Sequence, residues 1–526
     1  MAQERATLTN SLLIKKQELE KEVQNVSVRS YWLMLGELRL DASFYAEENQ
    51  KALRLLRESG YEITDINALS KRVFNPPPIK RQYSGREGTP YLMPTELFLL
   101  RLKPTKFVFA NKMKNIKDWF VEEGWVILTQ SGNVGIPLYV TKSLEKFVIS
   151  QNAIRIVPKE GVYSGFIYAY LSTWLGQALV TKDQFGVTVE HIRPHHVSKL
   201  PILLLPKEIQ KQIHQNIVKV FQLREKARKL LKQAEVMLLQ ELNLPPIEKS
   251  LKETKAFSIN VERLNLRLDA SYHDPIVNSL ISKLKKGRYN VRPLGKISKV
   301  FIPPRFKRIY VQKEYGVPFL QGTDISLIKP RLLKYISKKV TRNLEKWIIR
   351  SGWVLVTCSG TIGRVALAPR KWDGWAVSQH VARIIPNYEE VHTGFLTVFL
   401  FSDYGYRQVI SKTYGGVVDE LAEDDMKDVI VPLPPMDVQE KIGNLVIEAY
   451  ELKELANEIE DETIKTLESM LSTHKRIDIN EEYLKEIEAY AESFELIGNE
   501  EFRESIEELR SGEITSFDEF KKEHDF

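Results

Sequence analysis

Asn75-Pro76-Pro77-Pro78 is the string in this chain whose residue types come nearest to a catalytic motif. Adenine amino-methyltransferases use Asn-Pro-Pro followed by an aromatic residue that stacks on a flipped base, and Pro78 has no aromatic face for such stacking. The sequence also contains no Gly-rich loop after a strand that would hold S-adenosylmethionine, and no Walker loop that would hold a nucleotide. We therefore expect a polyproline turn here, and a chain that is not an enzyme and binds no cofactor of its own.

The other chemically reactive candidates are three histidines and one cysteine. His191, His195 and His196 lie close in sequence, but no carboxylate or cysteine arrangement completes a metal site around them. Cys358 has no evident base partner. Because it is the single cysteine, the chain cannot form an intramolecular disulfide, which agrees with a reducing compartment. No stretch approaches the roughly 20 apolar residues that span a bilayer, and residues 1–24 do not resemble a signal peptide. These observations predict no metal site, no membrane partner and a cytoplasmic protein.

Two basic segments are the strongest candidates for binding a nucleic acid. Both interleave Lys and Arg with aromatic rings, and arginine can bind guanine through two hydrogen bonds, whereas lysine more often neutralises phosphate. The alternative is a charged loop that is merely solvated. The predicted contacts are Lys71, Arg72, Lys80, Arg81, Tyr83 and Arg86 in the first segment, Lys299, Arg305, Lys307, Arg308 and Tyr310 in the second, and, on weaker grounds, Lys182, Gln184, Lys412 and Tyr414.

Charge is distributed unevenly along the chain. The net charge is +7, but residues 472–526 contain 17 acidic and 7 basic residues, a local balance of −10 that leaves +17 for the remainder. Such a surplus fits attraction to DNA, although many basic proteins bind none. Apolar residues at helical spacing predict that 472–526 is an ordered helical tail, which either docks a partner protein or shields a basic surface.

The chain repeats itself at an offset of 228 residues. Leu38–Ser43 recurs unchanged as Leu266–Ser271, and one inserted residue further on shifts the offset to 229. Chance cannot keep this register over such a length, so the chain is a tandem duplication of one domain, whatever that domain does. Other matched pairs are Gly124–Thr129 with Gly352–Thr357, Ser150–Pro158 with Ser378–Pro386, Gly165-Phe166 with Gly394-Phe395, and Gln210 with Gln439.

Each copy begins with the pattern of a mixed α/β domain and continues into a long helix. Runs such as Trp125–Leu128 and Trp353–Val356 end at Ser-Gly turns, which predicts strands followed by turns of mainly structural role. After Pro206 and Pro435, apolar residues recur every three or four positions for about 36 residues, or roughly 54 Å of helix. We expect these helices to pair as an antiparallel coiled coil; the alternative is that each packs on its own domain.

Residues from about 40 to 471 resemble the DNA-sequence-specificity subunits of type I restriction-modification complexes. The strings that carry the resemblance are WVILTQSGNVG and WVLVTCSGTIG, VISQNAIRIVP and AVSQHVARIIP, and, leading into the helices, GVTVEHIRPHHVSKLPILLLPKEIQKQI and GGVVDELAEDDMKDVIVPLPPMDVQEKI. In that family each target-recognition domain binds one half of a split DNA site, and the helices fix the distance between the halves. The resemblance implies double-stranded DNA, two methyltransferase subunits that carry S-adenosylmethionine, and restriction or translocase subunits as partners.

The repeat and the resemblance together predict a mixed α/β fold with two tandem-repeat target-recognition domains, separated by long antiparallel coiled-coil-like helices and related by pseudo-two-fold symmetry. Two alternatives are a protein-interaction scaffold that no longer reads DNA and a self-contained modification enzyme, which the missing cofactor loop disfavours. The predicted parts are an N-terminal helical extension (1–37), a first target-recognition domain (38–206), a central spacer helix and linker (207–262), a second target-recognition domain (263–435), a C-terminal spacer helix (436–471) and an acidic helical tail (472–526).

Overall fold

A computed structural model describes residues 46–472, apart from 79–81, 86, 114, 183, 185–190, 246, 248–255, 265–266, 332 and 416–418. The predicted N-terminal extension (1–37) lies outside these residues, and so does the acidic tail beyond Ser472. Three of the predicted nucleic-acid contacts, Lys80, Arg81 and Arg86, also lie outside them. Within the described part of the chain, no helix is long and apolar enough to cross a bilayer.

The two copies of the repeat have the same sheets in the same strand order, and the fold is mixed α/β. Each has a four-stranded antiparallel sheet, here called the framework sheet, a second four-stranded sheet that includes one parallel pair, and a two-stranded sheet. In strand order, the framework sheet of the first copy is Ser70–Phe74, Ala153–Pro158, Val126–Thr129 and Pro137–Tyr139, and that of the second copy is Ser298–Phe301, Val381–Pro386, Val354–Thr357 and Val365–Leu367.

The remaining elements also correspond between the copies. The second sheets are Tyr83–Ser84, Lys106–Val108, Thr89–Leu92 and Val148–Ile149 in one copy, and Tyr310–Val311, Lys334–Ser337, Gly316–Leu320 and Ala376–Val377 in the other. The two-stranded sheets pair Glu62–Asp65 with Pro201–Leu204, and Val291–Pro293 with Ile430–Pro432. The short helices are Glu47–Glu58, Ile66–Leu69, Ser164–Ser172, Trp174–Thr181 and Pro194–Ser198, and then Pro275–Lys285, Leu294–Ile297, Thr393–Phe401, Asp403–Ser411 and Glu423–Lys427.

Two long helices follow the copies, at the positions where apolar periodicity predicts them. The first long helix is Lys207–Glu241 and the second long helix is Met436–Ser472. Asn216 on the first helix contacts Thr463 on the second, whereas Lys226, further along the first, contacts Glu448, which comes earlier in the second. The helices therefore pack on each other in antiparallel directions. A coiled-coil seam and an overall pseudo-two-fold symmetry remain predictions.

The apolar face of each long helix is shared between both copies. Ile213 and Ile217, near the start of the first helix, belong to the core of the first copy, whereas Leu231 and Leu238 belong to the core of the second. The second helix does the reverse, since its early residues pack in the second core and its last ones, such as Leu467, pack in the first. Because burial of apolar surface drives this packing, the helix pair and the two domains stabilise one another.

Gly443 lies in the interior of the second long helix without breaking it. A Cβ atom added at Gly394, on the helix Thr393–Phe401, would lie only 2.2 Å from the Gly443 carbonyl oxygen. The two helix backbones therefore cross in direct contact, which only residues without a side chain allow. This close crossing explains a glycine that costs helix propensity by about 1 kcal/mol elsewhere.

A buried polar cluster, here called the Glu460 cluster, joins both long helices to both copies. Arg224 of the first helix donates to the two carboxylate oxygens of Glu460 at 3.1 and 2.9 Å, and to the Asn457 side chain at 2.8 Å. Lys329 of the second copy lies 2.6 Å from the same carboxylate, and the Tyr168 hydroxyl of the first copy also donates to it. Burial alone would raise the pKa of Glu460, but Arg224 and Lys329 outweigh it and hold that pKa well below its usual range.

Candidate nucleic-acid interface

Several loops of the second copy meet where the framework strand Val354–Thr357 ends. Cys358, the next residue, donates its N–H to the His380 carbonyl at 2.8 Å, and its own carbonyl accepts from the Leu421 N–H at 2.9 Å. Gly360 donates to the Asp419 carbonyl at 3.2 Å. These backbone hydrogen bonds attach the loops around 380 and 420 to the end of the sheet.

The first copy has the same arrangement at its corresponding turn. Gln130 donates its N–H to the Asn152 carbonyl at 2.9 Å, and its carbonyl accepts from the Ile192 N–H at 3.1 Å. Gln130 occupies the position of Cys358, and Asn152 that of His380. The loop framework is thus common to both copies, while the side chains that it presents differ.

The polar atoms of these turns are used within the turns themselves. The Thr357 hydroxyl donates to the Thr361 carbonyl at 2.6 Å and accepts from the Arg364 N–H at 2.9 Å. Gly360 and Gly363 have φ values of 72° and 79°, in the left-handed region that favours glycine. Burial raises the pKa of the Cys358 thiol to about 12. These contacts support the structural interpretation of the turns and an unreactive thiol.

A buried arginine in each copy holds the loop that precedes the longest framework strand. Arg155 donates to the carbonyls of Ser150 at 3.0 Å, Ile149 at 2.8 Å, Ala153 at 2.5 Å and Trp119 at 3.4 Å. Arg383 makes the same four bonds in the second copy, to the carbonyls of Ser378, Val377, Val381 and Trp347. Burial lowers the pKa of each guanidinium to about 9. Sequence reasoning missed both residues, although the repeated strings that end in Ile-Val-Pro and Ile-Ile-Pro each carry this arginine among apolar strand residues.

Two predicted contacts of the second copy lie against these loops. Arg308 donates to the Gln379 side-chain oxygen at 2.8 Å and to the Ser378 hydroxyl at 3.4 Å. Arg305 has a largely exposed side chain and lies 3.3 Å from the Glu420 carboxylate. The structure therefore brings residues of the basic segment together with the loops at 378–380 and 420, a proximity that no pattern in the sequence predicts.

The electrostatics of this group keep the His380 imidazole uncharged near pH 7. Burial, followed by the nearby charges of Arg308 and Arg305, lowers the pKa of His380 below its ordinary value. The Gln379 side-chain nitrogen lies 2.9 Å from His380 Nε2, so the two side chains share a hydrogen bond. Two guanidinium groups, a carboxylate, an amide and a neutral imidazole thus lie together, and these are the groups that form hydrogen bonds with base edges.

The basic residues at the start of each framework sheet correspond with a shift of one residue. A bulge between Ser70 and Arg72 makes Lys71 an extra residue, so Arg72 takes the structural place of Lys299. The Arg72 guanidinium lies 3.7 Å from the centre of the Phe74 ring, and Lys299 Nζ lies 6.0 Å from the centre of Phe301. Arg72 also pairs with Asp118 at 2.7 Å, so this cation is partly neutralised.

The other predicted contacts have varied surroundings. Lys71 and Lys307 are exposed, and so are the rings of Tyr83, Tyr310 and Tyr414. Lys182 and Gln184 are half-buried just after the helix Trp174–Thr181. Lys412 is half-buried 5.6 Å from the Tyr272 ring centre, and burial lowers its pKa. All of these positions remain predicted nucleic-acid contacts.

The residues first considered for catalysis have structural contacts. The Asn75 side-chain amide lies 3.3 Å from both the Gln130 side-chain oxygen and the Gln151 carbonyl, so it ties two loops together. The rings of His195 and His196 lie against each other at 4.1 Å, and His196 Nδ1 accepts from the Arg193 N–H at 3.4 Å. Among the residues that the structure describes, no group of His, Cys, Asp and Glu could hold a metal ion.

Comparison with known proteins assigns the chain to a family. A family model described as the type I restriction modification DNA specificity domain matches residues 78–235 and 288–468, more than half of the chain. The EcoBI type I restriction enzyme specificity subunit of Escherichia coli is 22% identical over 316 residues, which are 58% of this chain and 63% of that protein. The chain thus spans less than two thirds of this curated relative.

Two solved structures are also similar to the chain. One is the type I restriction-modification S subunit from M. genitalium, with 12% identity, a TM-score of 0.31, and coverage of 78% of this chain and 95% of that one. The other is the HsdS subunit from Thermoanaerobacter tengcongensis, with 15% identity, a TM-score of 0.26, and coverage of 80% and 97%.

Proposed function

Since this chain belongs to the type I restriction-modification DNA specificity family, we propose that it is the non-catalytic subunit that reads a bipartite DNA target and directs methyltransferase subunits to it. Each copy would bind one half of the target through the loops at the end of its framework sheet. The long helices would hold the two halves at a fixed separation along the duplex. The proposed setting is the cytoplasm.

One observation carries this proposal: the loop framework is the same in both copies, whereas the exposed and polar residues on it differ. Backbone bonds at Gln130 and Cys358 join equivalent loops, yet Asn152 stands where the second copy has His380, and His191 stands where it has Glu420. Domains that bind two different half-sites need a common scaffold and different contact groups. A duplicated domain with only a structural role has no such need.

The chemistry of methylation would then belong to partner subunits. Two methyltransferase subunits would bind S-adenosylmethionine and dock beside the paired helices, and restriction or translocase subunits would join them for cleavage. This chain would contribute position only, by holding the target in register with the partner active sites.

The first test replaces the arginines that lie on the second loop group. Arg305→Ala and Arg308→Ala should weaken recognition of one half-site only, by about 1–3 kcal/mol for each lost guanine contact. Methylome sequencing of cells that carry each variant with the methyltransferase would show relaxed sequence at one half of the motif. Lys286→Ala, which removes the same charge at an exposed position outside these loops, is the matched control. Equal loss on unrelated DNA would indicate phosphate anchoring instead.

Two other functions give different results in simple assays. A protein-interaction scaffold would show no salt-sensitive mobility shift with DNA, even with the methyltransferase present. A self-contained modification enzyme would methylate DNA without any partner. Either result would overturn the proposal, and a methylated bipartite motif that depends on this chain would support it.

A further inference from the structure

A short antiparallel bridge beside the long helices joins the backbones of the two copies directly. Leu99 of the first copy pairs with Leu327 of the second. The Leu100 N–H donates to the Ser326 carbonyl at 3.0 Å, and the Ile328 N–H donates to the Phe98 carbonyl at 2.9 Å. At the repeat offset of 228, Leu327 is the counterpart of Leu99 itself. Each copy therefore contributes the same three repeat positions to the bridge. In each copy, the N–H of the third position donates to the carbonyl of the first position in the other copy.

The long helices hold this bridge at corresponding positions. Arg228 of the first helix donates to the carbonyls of Leu97, Leu99 and Leu100 at 3.4, 3.0 and 3.3 Å. Asn457, its counterpart on the second helix at the offset of 229, donates to the Ile328 carbonyl at 3.0 Å. The bridge is thus fixed to the middle of the helix pair as well as to both copies.

Charged side chains next to the bridge bind residues of the other copy and of the long helices. Arg101 donates to the Phe401 carbonyl of the second copy at 3.0 Å and to Glu235 of the first helix at 3.3 Å. Lys329, its counterpart, binds Glu460 of the second helix. Arg331 stacks 4.6 Å above the Phe98 ring of the first copy. The bridge is therefore the centre of a larger contact between the two domains.

From these contacts we propose that the Leu99–Leu327 bridge is a second determinant of the distance between the two half-sites, in addition to the length of the helices. This inference rests on the proposed function, because it concerns the gap in a bipartite target. It assigns a positioning role to the bridge residues and to Arg228 and Asn457, which need not touch DNA.

The geometry of DNA explains why an intact bridge would allow only one gap length. Changing the gap by one base pair moves one half-site by about 3.4 Å along the helix axis and rotates it by about 35°. If one copy followed its half-site, the Leu100 nitrogen and the Ser326 oxygen, now 3.0 Å apart, would separate to about 4.5 Å for a shift perpendicular to their bond and to about 6.4 Å for a shift that stretches it, both beyond hydrogen-bonding distance. A chain with an intact bridge can therefore accept one gap only, whereas a helix pair without it could bend or twist to reach a neighbouring gap.

The first experiment closes the bridge with a disulfide crosslink. Leu99 and Leu327 form a non-hydrogen-bonded pair, for which the Cα atoms of an antiparallel ladder lie about 4.5 Å apart, within disulfide range. Leu99→Cys with Leu327→Cys should therefore crosslink on oxidation, which non-reducing electrophoresis detects. The oxidised chain, assembled with its methyltransferase, should methylate the wild-type motif at an unchanged rate. Loss of methylation that a reductant restores would show that the bridge opens on DNA, and would overturn the proposal.

The second experiment loosens the bridge in cells without the need for a crosslink. Arg228→Met with Asn457→Leu removes the side chains that hold the bridge, and methylome sequencing should reveal motifs whose gap is one base pair longer or shorter, at least about tenfold more often than in wild type. Lys226→Met, which breaks an exposed contact between the helices but does not touch the bridge, should leave the gap unchanged. An unaltered gap in the double variant contradicts the bridge proposal. If wild type methylates no bipartite motif at all, the proposed function fails instead.

Discussion

Replacing Glu460 with Leu should be among the most destabilising single changes in the long helices. The carboxylate is buried among Arg224, Lys329 and Tyr168, and the side chains of Arg224 and Glu460 are only 4% and 2% exposed. Leucine fits a helix, and it is the residue that the first helix has at the corresponding position, Leu231. Helix propensity and repeat geometry therefore do not explain a loss of stability, which we expect to come from the missing charge.

The magnitude follows from what the substitution leaves behind. Arg224 would lose both of its carboxylate contacts, at 3.1 and 2.9 Å, and would remain buried with its charge. Lys329 would keep its contact with Asp461, which is about half exposed. Breaking a buried ion pair by removing one partner costs about 3–5 kcal/mol, because the other charge stays desolvated. The unfolding equilibrium constant should therefore rise by roughly three orders of magnitude.

Guanidinium unfolding of the purified chain at pH 7 measures this change. Tryptophan fluorescence and circular dichroism should give coincident transitions if the helix pair and both cores unfold together, and the free energy can then be read from the midpoint and slope. The double variant Arg224→Met with Glu460→Leu removes both charges, and an apolar pair of similar size is often as stable as the ion pair. It should recover most of the loss.

Two results would refute this reasoning. A cost below about 1 kcal/mol for Glu460→Leu would mean that water reaches the cluster and solvates Arg224. A double variant no more stable than the single variant would mean that the loss comes from packing and not from the unpaired guanidinium.

Three further predictions concern other buried groups. Arg383→Met should relax recognition of one half-site in methylome sequencing while circular dichroism shows a folded chain, and Arg155→Met should do the same for the other half-site, because each guanidinium holds one loop of the proposed interface. Cys358, with its pKa raised to about 12 by burial, should react with iodoacetamide at pH 8 at least about 100-fold more slowly than a free thiol until the chain unfolds. Because the pKa of Glu460 is depressed by folding, its contribution to stability is present above the unfolded value of 4.5 and is lost as the pH falls below it, so the difference between wild type and Glu460→Leu should shrink in unfolding experiments below pH 4.5.

The sequence was enough to predict the family, the mixed α/β class and the two long helices, because each leaves a signal that repeats along the chain. A bulge leaves none: the repeat offset aligns Lys71 with Lys299, whereas the strand pairing aligns Arg72 with it. Arg155 was missed for a related reason, since an arginine within an apolar strand looks like an exposed position until the strand is seen to be buried on both faces. The bridge at Leu99 joins residues that are far apart in sequence, and no local pattern marks such a contact.

The loops at the ends of the framework sheets show how one scaffold can carry two different contact surfaces. The backbone bonds at Gln130 and Cys358 and the buried guanidinium groups of Arg155 and Arg383 position these loops in both copies, and the side chains of Asn75 and Arg308 add bonds that differ between the copies. Asn152 and His380 can therefore differ, because the bonds that tie them to Gln130 and Cys358 use their carbonyls and not their side chains. Substitution at such positions changes the hydrogen-bonding groups offered to a ligand at little cost in folding free energy. Arg308 differs from them, because it binds the Gln379 side chain. A substitution of Arg308 should therefore affect both the order of that loop and the proposed contact with DNA.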